Sequence, residues 1–128
     1  AADLKEQIGL YQKAVDLVHG PFLEDIYADW VVPDREHLSQ TYLSALLFLA
    51  DLLRKQAQSE QALAICQRAM DYDLTFEAAY SLSMQIYHRL GDRASIIRTY
   101  QAVEEAMQSK LGLPPSKEIA ELYHRLVV

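Results

Sequence analysis

LSALLFLADLLRKQAQSEQALAICQRAMDYDLTFEAAYSLSMQIYHRLGDRASIIRTYQAVEEAMQ, residues 43 to 108, carries one apolar pattern twice. A step of 34 residues takes Leu46 to Tyr80, and the same step joins Leu53 to Tyr87, Ala57 to Gly91, Ala62 to Ile96, Cys66 to Tyr100 and Ala69 to Val103. Each copy reads as two antiparallel helices. A unit of that size cannot bury its own apolar face, so it needs neighbours stacked against it.

A period of 34 residues is that of the tetratricopeptide repeat. The expected fold is therefore all-α, a tetratricopeptide-like right-handed α-α superhelix of about seven helices. It forms a single domain over residues 1–128, with repeats at about 43–76 and 77–110 and capping helices at both ends. Composition agrees: apolar residues make up 51% of the chain, and its four Gly and four Pro are gathered at a few joints. Long segments of good helix formers remain between them, with no alternating strand pattern.

Twelve Lys and Arg against eighteen Asp and Glu leave a formal charge of −6. Such a surface repels phosphate backbones, so direct nucleic-acid contact by this segment is not expected. The single cysteine, Cys66, has no intrachain partner, and no cleavable apolar leader precedes the first helix. A reducing cytoplasm is the expected compartment. The most apolar run, Leu43 to Leu53, contains Asp51 and is too short for the roughly 20 residues that span a bilayer. It is a core helix, and no membrane role is expected.

Outside the repeats, Leu4, Ile8, Tyr11, Val15 and Val18 mark one face of a helix from about Leu4 to Val18, which ends before Gly20-Pro21. Residues 20 to 33 are irregular, with a single helical turn around Asp25 to Trp30. Pro33, with Asp34 and Glu36 beside it, opens a long central helix that runs to about Lys55. Ser59 and Thr75 are N-cap candidates for the two helices that follow, and Gly91 is the C-cap of the second. Asp92 restarts the chain, LGLPPS at 111 to 116 stops the next helix, and Ser116 caps a last one, in which Ile119, Leu122, Tyr123 and Leu126 cover the open end.

Chemistry-bearing residues are weighed against plainer roles. Histidines at 19, 37, 88 and 124 never share the spacing that puts two ligands on one helix face, so no metal is expected. Cys66 falls at an inward position without a flanking base, which suits an inert buried thiol. Glu24, Asp25 and Asp29 form an acidic group that a helix N-terminus explains as well as acid/base catalysis does. No nucleophile elbow or phosphate loop accompanies them. Neither a catalytic centre nor a cofactor is expected. Five of the eight tyrosines, at 42, 80, 87, 100 and 123, lie on inward stripes as core.

The first helix of each repeat turns its other face to the concave side. That face holds Ser44, Leu47, Asp51, Arg54 and Lys55 in one copy and Ala78, Ser81, Gln85, His88 and Arg89 in the next. Arg54, Lys55 and Arg89 make a cationic edge in an acidic domain. Asp51, Arg54, Lys55, Gln85, His88 and Arg89 are the candidate partner-binding residues, the partner being an acidic peptide or protein segment. The plainer reading is a solvated helix face with local pairs such as Asp51 and Lys55.

The segments GPFLEDIYADWVVPDREHL from Gly20, LGDRASIIRTYQAVEEAM from Leu90 and KLGLPPSKEIAELYHRL from Lys110 resemble the bacterial transcriptional activator domain. This is the tetratricopeptide-like module of Streptomyces antibiotic regulatory proteins and related regulators. The resemblance covers about Gly20 to Leu126 and departs from the usual pattern at Leu74 and Met84. It implies a protein-interaction and regulatory role, through dimerisation, intramolecular control of a linked winged-helix domain, or contact with the transcription machinery. No winged-helix pattern is present here, so DNA reading is expected of an upstream segment or not at all. The alternative is a freestanding scaffold for an acidic peptide. From the residues alone, Trp30 is expected to anchor the irregular segment on the long helix, with Arg35 or Glu24 tying it by a charged hydrogen bond.

Overall fold

The computed structural model describes residues 4–18 and 35–128, and among them every regular element is a helix. These are α1 (Leu4–Val18), α2 (Arg35–Lys55), α3 (Ser59–Tyr72), α4 (Glu77–Arg89), α5 (Arg93–Leu111) and α6 (Lys117–Val127). The expected turn around Asp25 to Trp30, the Pro33 start, the acidic group and the Trp30 anchor lie outside the described residues. So does the side chain of Arg35. Among the described residues no helix is long and apolar enough to cross a membrane.

Each helix packs on the next from α1 to α6, α4 also meets α6, and α2 meets α4. This is the stacking of helical hairpins that a tetratricopeptide-like array requires, with the first helices of the two repeats in contact. Buried side chains run through it without a break: Val15 in α1, Leu46 and Leu49 in α2, Cys66 in α3, Met84 in α4, Ile96 and Val103 in α5, Ile119 in α6. Met84, where the family pattern prefers a small residue, is fully buried. Tyr42 and Tyr80 are buried as expected, and Tyr87, Tyr100 and Tyr123 partly so.

The repeat is written in the backbone as well. At the end of α2 the Gln58 amide donates to Leu53 O (2.9 Å) and the Ala57 amide to Arg54 O (3.0 Å). At the end of α4, 34 residues on, Asp92 donates to Tyr87 O (2.9 Å) and Gly91 to His88 O (3.1 Å). Both are the paired bonds of a Schellman turn around a left-handed residue, Ala57 at φ 58° and Gly91 at φ 73°.

Of the three N-cap candidates, Ser116 stands where the sequence places it, its Oγ accepting the Ile119 amide at 3.4 Å; Asp92, where the chain restarts, also proves to be a cap and accepts the Ser95 amide at 3.1 Å. The other two differ. The turn at Ala57 leaves only Gln58 before α3, so Ser59 is already helical and caps nothing. Thr75 donates both its amide (3.0 Å) and its hydroxyl (2.8 Å) to Asp73 Oδ1, so it is tied into an Asx turn and Phe76 takes the N-cap position without a side-chain bond.

The array is fastened at both ends. Arg68 of α3 reaches α1 through Asp16 Oδ1 (3.1 Å) and Val15 O (3.3 Å), and α2 through the Tyr42 hydroxyl (3.0 Å). At the other end Tyr123 stacks on Tyr100 with ring centroids 4.1 Å apart, and Glu77 Oε2 accepts the Ser116 amide at 2.7 Å. An N-cap amide is often satisfied by a Glu three residues into its own helix. Here that position is Ile119, and α4 supplies the carboxylate instead.

Candidate interaction groove

Ser44, Leu47, Phe48 and Asp51 occupy one face of α2, at the three- and four-residue steps of a helix stripe. Ala78, Ser81, Leu82 and Gln85 occupy the same positions 34 residues later in α4. Because α2 and α4 touch, the two quartets face one another across a groove of about 510 Å³. Its apolar wall is Leu47, Phe48 and Leu82. Phe48 is 48% exposed, and its ring lies 4.8 Å from that of Tyr11, which brings α1 to the groove's edge.

Of the expected concave face, Ser44, Leu47, Asp51, Ala78, Ser81 and Gln85 come together here. Arg54, Lys55, His88 and Arg89 are not among the groove's lining residues. They occupy the last turns of α2 and α4, where positive charge is favoured by the exposed carbonyls. Arg54 donates to Asp51 Oδ1 through Nε (3.0 Å) and Nη2 (2.6 Å), and Lys55 Nζ stands 3.3 Å from Oδ2. Desolvation alone would raise the Asp51 carboxyl, but the hydrogen bonds and charges of Arg54 and Lys55 hold it below its ordinary value. Much of the cationic edge is therefore engaged within α2.

Phe48 and Leu82 were not among the expected groove residues. The signal was available, since each lies four residues after a residue already placed on the face, Ser44 or Ala78. Cys66 is buried; desolvation pushes its thiol up to about 11, against a smaller opposing effect from the Ser83 hydrogen bond. Among the described residues no group of three His, Cys, Asp or Glu is placed to hold a metal.

No curated protein and no solved structure matches the chain. The family described as Bacterial transcriptional activator domain does match, over residues 1–127, so the match takes in α1 as well as the part after Gly20. This chain belongs to the bacterial transcriptional activator domain family, a domain of bacterial transcriptional regulators.

Proposed function

We propose that residues 1–128 act as one regulatory, protein-interaction unit of a bacterial transcription regulator, and that the α2–α4 groove holds a segment of another protein domain. The observation that carries this reading is the open apolar wall of Leu47, Phe48 and Leu82, in which Phe48 and Leu82 hold the same place in the two repeats and which no side chain among the described residues covers. A linked winged-helix domain or the transcription machinery is the occupant this role calls for. No catalytic role is assigned to the unit. The test is Phe48→Asp in the regulator as it occurs in its host, read by a reporter from a regulated promoter. A severalfold change in output with an unaltered melting temperature is expected; unchanged output removes the groove from the mechanism.

The second reading is a freestanding scaffold for an acidic segment, drawn by Arg54, Lys55, His88 and Arg89 at the ends of the same two helices. The bonds from Arg54 and Lys55 to Asp51 weigh against it.

A further inference from the structure

α1 is held unevenly along its length. Near its C-terminal end Val15 is fully buried, and Arg68 of α3 donates to Val15 O at 3.3 Å and to Asp16 Oδ1 at 3.1 Å. Among the described side chains of α1, Val15 is the only buried one. Toward the N-terminus Ile8 and Tyr11 are no more than partly buried against the core. Gly9 lies between them, exposed, and a Cβ built there meets no atom within 4 Å. Packing therefore gives no reason for a glycine. In a helix interior its backbone freedom weakens the helix, so the loosely packed half is also the less helical half.

That half meets the groove. The Tyr11 ring lies 4.8 Å from the ring of Phe48, tilted by 35°, and Phe48 belongs to the groove's apolar wall. Tyr11 is not one of the lining residues, so it rests on the flank of Phe48 and leaves the groove open along Leu47 and Leu82. Because α1 packs on α2, lifting its N-terminal half bares that flank and adds to the wall the surface under Ile8 and Tyr11. Val15 and the Arg68 bonds stay in place. A segment whose apolar side chains enter the groove can take over the contact that Tyr11 gives up, so binding and lifting favour one another.

We propose that the N-terminal half of α1 is a flap on the α2–α4 groove, pivoting at Val15 with Tyr11 on Phe48 as its catch, and that the groove takes its partner in full only when the flap lifts. The regulatory part rests on the groove being a binding site; the motion does not.

Hydrogen exchange of the 128-residue chain, read amide by amide, measures the motion. The amides of Ile8 to Gln12 open together, well before those in the middle of α2. Gly9→Ala raises their protection by about two- to fivefold, the gain in helix propensity with no new contact. Tyr11→Ala and Phe48→Ala each lower it by about threefold or more. The double variant exchanges no faster than Tyr11→Ala alone, because both remove one catch. Simple fraying of a helix end gives no response to Phe48→Ala, and that result overturns the flap. Regulation is read in the host with the reporter used for Phe48→Asp, where Gly9→Ala and Tyr11→Ala shift output in opposite directions. If Phe48→Asp changes output and neither α1 variant does, the flap does not control the groove and the proposal fails. If Phe48→Asp also leaves output unchanged, the groove itself is lost as a binding site and the regulatory part falls with it, whatever the exchange rates.

Discussion

Ala57 and Gly91 hold the same place in the two repeats and the same left-handed conformation, yet only one of them is glycine. A Cβ in that region crowds the following carbonyl. Ala57 therefore carries a strain that Gly91 avoids. Replacing Ala57 by Gly removes a penalty of roughly 1–2 kcal/mol and adds about 0.4–1 kcal/mol of unfolded-state entropy, so Ala57→Gly should stabilise the chain by about 0.5–1 kcal/mol. The reverse exchange, Gly91→Ala, should cost a similar amount. A Cβ built there meets no atom within 4 Å, so only the backbone is tested. Urea midpoints at constant m-value check both; a fall for Ala57→Gly would show that the turn is held by something other than its dihedral angles.

At the scale of the element, the clearest dependence is that of α6 on α4. The Ser116 amide has its carboxylate partner 39 residues away, at Glu77, and Ile119 is buried where the last helix closes the stack. Glu77→Ala leaves that amide without its charged acceptor, and about 1–2 kcal/mol is the expected loss. Hydrogen exchange should locate it: amides of α6 open sooner while those in the middle of α2 keep their protection. Equal acceleration in both helices would mean that α6 does not open as a separate unit. This bond also marks where reading the sequence stopped. The helices and their ends were legible because stripes, Gly91, Asp92 and Ser116 act within a turn or two of themselves. Ser59 and Thr75 were misread because a cap depends on which neighbour takes the hydrogen bond first, and Asp73 takes Thr75. The groove was half legible for a related reason. Equivalent positions follow from the period, but Leu46, Leu47, Phe48 and Leu49 offer no polar residue to mark where the buried face ends, and the engagement of Arg54 and Lys55 by Asp51 depends on side-chain reach rather than on spacing.

Across the whole molecule, helices lean only on their neighbours, so a group buried in the middle of the stack bears on more of it than one at an end. Cys66 is such a group. Its thiol, at 9.0 when unperturbed, is pushed up to about 11 by desolvation, and burial also raises Tyr80 and Tyr100, helped by nearby acidic charge. Below pH 9 the thiol is protonated in folded and unfolded chains alike, and its contribution is fully present. As pH rises from 9 toward 11 the unfolded chain gives up that proton while the folded chain keeps it, so the unfolded state is favoured and stability falls. The lowered carboxyl of Asp51 acts in the opposite sense: its contribution is present above its unperturbed 3.8 and is lost as pH falls through the folded value. Stability should therefore be flat through neutral pH, with an alkaline decline to which Cys66 contributes on the order of 2 kcal/mol. Urea midpoints taken across that range check the shape, and Cys66→Ala checks the cause. That variant should start lower, because a buried side chain is shortened, but decline less steeply between pH 9 and 11. An alkaline limb as steep in Cys66→Ala as in the parent would place the titrating group elsewhere, with Tyr80→Phe as the next variant to compare.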